Sequence, residues 1–243
     1  MKLSKEEKAA DRALFKSMPF RKKVGHIWYY HKWKIIFGMI VLGLIGSSIY
    51  QVLTKKDPVL YLGMMNVSVS YKFEERITTD YLNDAGRDPD REEVFIYHEL
   101  YLSEDAEGEQ HKSVYASRIK LMASVEKQEF DAVLMSRQAY DILSAQGYLM
   151  PLETLTAGDP ALQALLAPVA AENEVYLEDN AIDYELNVDE SHEIVSETVA
   201  NAVLLNSGLL FSEAGFQDPI YFGVIGNSPR TQACIEYLEY LLR

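Results

Sequence analysis

Two kinds of apolar pattern share this chain. Residues Ile35–Leu53 form an uncharged run of 19 positions in which Ser47, Ser48 and Gln51 are the polar interruptions. At about 1.5 Å rise per residue, that length approaches the roughly 30 Å hydrocarbon core of a bilayer. A buried core helix of such length carries a polar stripe, and this run has none. A cleaved export signal has a short basic region and a small-residue cleavage site. Here 34 residues precede the run and no A-x-A-like site follows it. The pattern predicts a retained transmembrane helix.

The second pattern begins at Pro58. "VLYLGMMNVS" is a nearly continuous apolar run, as in a strand buried on both faces. Phe73, Ile77 and Tyr81 then recur at helical spacing, with Gly86 as the stop. "VFIYHELYL" reads as a second strand and "SEDAEGEQ" as an acidic loop. Residues 112–129 predict a helix with Val114, Arg118, Leu121, Met122 and Val125 on one face. "FDAVLMS" predicts a third strand, and Ser136 caps a helix that ends at Gly147. The β-α-β-α-β-α alternation predicts one mostly parallel, three-layer α/β domain.

The remainder is less regular. A Pro- and Ala-rich stretch ends near Ala171. Ile182, Tyr184, Leu186 and Val188 alternate with polar residues, which predicts a half-exposed strand. "ESHEIVSETVANAVLLNSG" reads as a helix closed by Gly208, and "IYFGVIGN" as a last strand. Ser228 and Pro229 start a final helix with Ile235, Leu238 and Leu242 facing inward.

Charge orders these pieces. Residues 1–34 hold ten Lys/Arg against three Asp/Glu, while Lys55 and Lys56 are the basic residues just beyond the apolar run. This asymmetry predicts a basic cytoplasmic segment (1–34), a span (35–53) and an extracytoplasmic domain (57–243). Trp28, Tyr29, Tyr30 and Trp33 fall where aromatic rings meet lipid headgroups. The basic segment also suits anionic lipid. Ser4 and Glu7 have the spacing of a capping box, which predicts a short helix before Pro19. Gly43 and Ser47 are a small-xxx-small pair, a candidate contact for a homodimer.

The chain's net charge of −14 conceals an outer part of −23. Such a domain repels nucleic acid. Cys234 is the one cysteine, so no intrachain disulfide forms, and its helical context predicts a small buried apolar residue.

Catalytic motifs are absent. There is no G-x-S-x-G elbow and no phosphate-binding G-x-x-x-x-G-K. His98-Glu99 and His192-Glu193 lack the second histidine of a zinc-protease helix. "EDNAIDYELNVDESHE" lacks the spacing and glycine of a calcium loop. The expectation is a non-enzyme with no metal and no cofactor. Open α/β sheets place ligands at the carboxyl ends of their strands, so Asn66, Ser68, Ser136 and Arg137 are the candidate ligand or partner surface.

Two stretches resemble a known family. In "FDAVLMSRQAYDILSAQGYLMPLETL", an Asp-initiated strand leads through a helix to Gly147-Tyr148-Leu149-Met150-Pro151-Leu152. In "IYFGVIGNSPRTQACIEYLEYLL", a strand ends at Asn227-Ser228 and leads into an aromatic- and Leu-bearing helix. Both are similar to extracellular solute-binding proteins of ABC importers, which have a periplasmic-binding fold. That resemblance implies a binding module serving a transporter, a membrane protein partner or a small-molecule ligand. A typical member has two lobes; about 75 residues separate Leu152 from Asn227, too few for a second one. The resemblance therefore implies a single lobe tethered by the span. An accessory or regulatory subunit of a membrane complex is the alternative.

Overall fold

A computed structural model describes residues 19–104, 107–179, 194–206 and 208–243. The chain divides into two compact units, residues 1–55 and 56–243. The first holds helix α1 (Phe20–Thr54), 35 residues entered from Pro19. Trp28, Tyr29 and Trp33 are exposed on it, and the side chain of Tyr30 lies outside the described residues. Phe37, Met39, Ile40 and Leu42 are each more than half exposed. At about 100° per residue these positions face all round the helix. Among the described residues no helix is long and apolar enough to cross a membrane. The side chains of residues 48–53, which complete the apolar run, lie outside them. The fold alone thus does not carry the transmembrane reading. The Ser4–Glu7 capping box also lies outside the described residues.

The second unit is a mixed α/β domain around one six-stranded sheet. Its elements are β1 (Asp57–Met65), α2 (residues 71–84), β2 (Glu92–Leu100), α3 (Glu109–Glu126), β3 (Ala132–Met135) and α4 (Arg137–Ala145). Short helices α5 (Leu152–Leu155) and α6 (Pro160–Leu166) follow. The chain closes with β4 (Ala170–Asp179), β5 (Ile194–Leu204), α7 (Leu209–Ala214), β6 (Tyr221–Val224) and α8 (Thr231–Leu242).

The strand order is β2-β1-β3-β6-β5-β4. β1 pairs in parallel with both β2 and β3, as the alternation predicts. The other three junctions are antiparallel, so the sheet is mixed and not mostly parallel. β4 and β5 form a long hairpin, paired from Ala170↔Val203 to Asp179↔Ile194. β6 meets β5 only at Val203 and Leu204, so the outer part of the hairpin stands beyond the sheet. Two further expectations change with it. β5 occupies the stretch predicted as a helix, and β4 arises where no strand was predicted. The predicted strand over Ile182–Val188 lies outside the described residues.

Alternation along β1 builds two cores. Leu60, Leu62 and Met64 face the first, with Ile77 and Tyr81 of α2 and Tyr237, Leu238 and Leu241 of α8. Met65 joins the second with Leu121 of α3 and Tyr140, Ile142 and Leu143 of α4. Helices thus cover both faces, and truncating one such leucine costs about 2–5 kcal/mol. Cys234 is fully buried in the first core, and Leu238 faces inward as predicted. On α3 the inward residues are Val114, Ser117, Leu121 and Ser124, whereas Met122 is exposed. Ser117 belongs inside because its Oγ accepts from the Tyr101 amide at 2.9 Å and donates to the Ser113 carbonyl at 2.8 Å.

Within α2, Arg76–Asp80 is a π-helical turn. Such a turn displaces backbone carbonyls from their ordinary partners. Tyr240 donates to the Arg76 carbonyl at 2.8 Å and Tyr237 to the Ile77 carbonyl at 2.9 Å. α8 therefore fastens to α2 by polar bonds as well as by packing.

Candidate functional site

β1 lies between β2 and β3, and the helices that follow β1 and β2 cover opposite faces. Successive connections thus leave β1 and β3 in opposite directions. Such a switch point opens a crevice at the carboxyl ends of the strands. A cleft of about 850 Å³ lies there. Met64 and Asn66–Val69 contribute from the end of β1, and His98–Ser103 from the end of β2. The first turn of α3 adds Gln110, Ser113 and Val114, and the start of α4 adds Ser136 and Gln138. The polypeptide enters the domain at Lys56, the opposite end of β1.

Of the four residues predicted for this surface, Asn66, Ser68 and Ser136 come together in the cleft. Asn66 is built into its wall. Its Oδ1 accepts from the Leu102 amide at 2.9 Å and its Nδ2 donates to the Leu102 carbonyl at 2.6 Å. That pair fixes the loop after β2 to the loop after β1. Gln138 extends the wall, accepting from Asn66 Nδ2 at 3.4 Å and donating to Ser103 Oγ at 3.3 Å. Ser136 caps α4, accepting from the Ala139 amide at 3.4 Å. Ser68 is exposed at the rim.

Arg137, the fourth, is not among the residues that line the cleft. Its Nε is 2.9 Å from Asp141 Oδ1, and its guanidinium lies over the rings of Tyr140 and Tyr221. Hydrogen bonds to Asp141 and then Tyr221 push its pKa above the ordinary arginine value. It remains a cation engaged on the flank of α4. Beneath it, the Tyr140 hydroxyl lies 2.8 Å from the Ala171 carbonyl and 2.9 Å from Asn201 Oδ1, sharing its one proton between them, and Asn201 donates to Ser144 Oγ at 2.8 Å. This buried network pins α4 to the β4–β5 hairpin.

The backbone of the cleft is unusual in two places. Asn66 has φ of 54° and Glu99 has φ of 56°, both in the left-handed region. Asparagine tolerates that conformation, but glutamate does so at a cost. The β1–β2 register also slips between Gly63 and Met65, so His98 and Glu99 sit in a bulge. Strain and bulges concentrate beside functional sites.

Sequence reading missed His98, Glu99, Ser103, Gln110, Ser113 and Gln138. The H-E pair at 98–99 drew attention as a failed zinc motif, not as a bulge. Gln110 and Ser113 fall in what read as a loop and the exposed start of a helix, and their convergence with β1 needs the tertiary fold. Among the described residues no Lys or Arg lines the cleft. Among the described residues, no group of His, Cys, Asp and Glu is placed to hold a metal ion.

A second polar centre lies at the other end of β3. Asp131 is fully buried. Its carboxylate accepts from the Tyr61 amide at 2.9 Å, from Ser228 Oγ at 2.7 Å and from Arg230 Nη1 at 3.2 and 3.3 Å. Arg230 also lies over the Tyr61 ring, 4.8 Å from its centroid. The cluster joins β1, β3 and the start of α8.

Comparison of the chain with protein-family models, with curated proteins and with solved structures finds no match.

Proposed function

We propose that the chain is a single-pass, membrane-anchored binding module whose extracytoplasmic domain, residues 57–243, receives a ligand or partner in the cleft at the carboxyl ends of β1 and β2. The observation that carries this reading is the cleft itself: three loops converge on it, two backbone positions around it are left-handed, and polar side chains line it above an apolar floor. The anchor rests on the uncharged run Ile35–Leu53 and on the exposed apolar side chains of α1. The orientation rests on the basic segment that precedes them.

The resemblance to solute-binding proteins supports a role beside a transporter. The described part of residues 152–227 extends the same sheet, which supports a one-lobed domain that holds its ligand without hinge closure. The alternative, a regulatory subunit of a membrane complex, is favoured by the β4–β5 hairpin. Beyond the sheet it exposes Tyr176, Leu177, Ile194 and Val195, and β4 is an edge strand.

Topology is tested by replacing Cys234 with serine and placing a cysteine at exposed Glu107. An impermeant thiol reagent is expected to label intact cells. Labelling confined to lysed cells removes the extracytoplasmic reading.

A further inference from the structure

We infer that the cleft selects an uncharged solute bearing hydroxyl and amide groups and rejects anions and cations; this rests on the reading of the cleft as a binding site. The inference begins with what the lining offers. Gln110 and Ser113 project from the first turns of α3, Ser68 from the loop after β1, and Gln138 and Ser136 from the start of α4. Each hydroxyl and each amide both donates and accepts. Ligand groups with the same double character, hydroxyls and amides, match such a set best.

Charge argues the same way. An anion entering here meets no Lys or Arg among the described lining residues, within a domain of net −23. Binding a carboxylate or phosphate means stripping its water with no countercharge to replace it. A cation fares little better. Among the described lining residues the acidic side chain is Glu99, which is exposed and therefore solvated. The floor is apolar, formed by Met64, Leu100, Leu102 and Val114. That surface suits the C–H faces of a ring. The volume of about 850 Å³ falls in the range that encloses small organic ligands.

The wall is also fixed in advance. Asn66 holds Leu102 through both atoms of its amide, so the loops that carry Ser68 and Ser103 do not have to be ordered by the ligand. Preorganisation of that kind limits the entropy lost on binding.

The test uses the full chain in detergent and three sugars of one scaffold at mildly acidic pH. These are N-acetylglucosamine, which is uncharged, glucosamine, a cation, and glucuronic acid, an anion. Calorimetry is expected to show saturable binding of the uncharged sugar at millimolar concentration and none of the charged pair. The double variant Gln110→Ala, Ser113→Ala is expected to weaken that binding at least about tenfold, the loss of one or two hydrogen bonds. Alanine favours helix at both positions, so the melting temperature should hold and a loss of binding reports the site. Preferential binding of either charged sugar overturns the ligand class and leaves the cleft a binding site. Binding of the uncharged sugar that the double variant does not weaken overturns the location. Silence from all three sugars overturns the ligand class.

Discussion

Asn66 and Leu102, 36 positions apart, are joined as two strands would be: the side-chain amide of one accepts from the backbone N–H of the other and donates to its carbonyl. The last backbone bond between the two strands is the Asn66 amide to the Leu100 carbonyl at 2.9 Å, and beyond it the side chain carries the pairing on to Leu102. The asparagine side chain substitutes for the missing backbone partner. Its left-handed φ of 54° directs the amide toward Leu102.

Removing that amide should loosen the cleft wall. Asn66→Ala loses two hydrogen bonds to Leu102, each worth about 1 kcal/mol net, and the longer one to Gln138, and places a residue less tolerant of positive φ in the same turn. The expected loss is about 2–4 kcal/mol in urea unfolding of the domain. Asn66→Asp keeps the acceptor but sets a carboxylate oxygen against the Leu102 carbonyl, so it should fall at least as far. An unchanged unfolding midpoint for either variant contradicts the latch.

How much of this was legible beforehand depends on the range of the forces involved. The first half of the domain follows local periodicity, because β1 and the helices that cover it bury continuous stripes. Asn66, Ser68 and Ser136 were named from the carboxyl ends of the strands, and the fold brings the three to one cleft. β5 was not legible. Val195, Val199 and Val203 recur every four residues and mimic a helical stripe. Ile194, Thr198 and these valines are β-branched, however, and pairing along the whole of β4 fixes them as strand. That partner, "AAENEVYLED", has no long apolar run to announce it. The antiparallel insertion of β6 beside β3 has no local signal either. Arg137 was placed by its position after β3, but Asp141 one helical turn on draws it to the flank.

Asp131 and Arg230 should show unequal sensitivity. Asp131 is fully buried and accepts from three groups, whereas the Arg230 side chain keeps 32% exposure. Asp131→Ala leaves the Tyr61 amide and the Ser228 hydroxyl without their acceptor and strands the guanidinium, at a cost of about 3–5 kcal/mol. Arg230→Met retains the contact with Tyr61 and should cost about 1–2 kcal/mol, since solvent screens the exposed end. A double-mutant cycle in urea measures the coupling. Equal costs for the two single variants contradict a carboxylate-centred cluster.

Alkaline pH should unfold the domain through its buried thiol and phenols. Burial, reinforced by the charge of Asp131, pushes the Cys234 thiol from 9.0 up to about 12; Ser228 and Arg230 oppose the shift. Burial, with Glu236 adding to it, likewise raises Tyr81 from 10.0 to about 12. Both groups lose their proton in the unfolded chain before the folded one. Their contribution is therefore complete below pH 9 and declines as pH rises toward 12. Each group contributes a slope of about 1.4 kcal/mol per pH unit within its window. Cys234→Ala should lose about 1 kcal/mol at neutral pH, from the small cavity it leaves, yet show a flatter decline above pH 9. Urea midpoints at stepped pH check this, and parallel declines for the two proteins refute it.

Glu99 should behave in the opposite sense from Asn66, although the two have nearly the same φ. Its side chain is exposed on the bulge, and among the described residues it makes no hydrogen bond that compensates the left-handed backbone. An ordinary residue in that region costs about 1–2 kcal/mol, and glycine escapes the cost. Glycine in turn gives up about 0.5–1 kcal/mol through the freedom of the unfolded chain. Glu99→Gly is therefore expected to gain about 0.5–1 kcal/mol, while Asn66→Gly, which forfeits the bonds to Leu102, is expected to lose stability. Strain held at a site has a use when it shapes that site. Glu99→Gly should then raise the melting temperature and weaken binding of the uncharged sugar, because the freed bulge no longer holds His98 and Tyr101 in place. A melting temperature that falls in Glu99→Gly shows that the glutamate side chain supports the turn, and the bulge then stores no strain for the cleft to use.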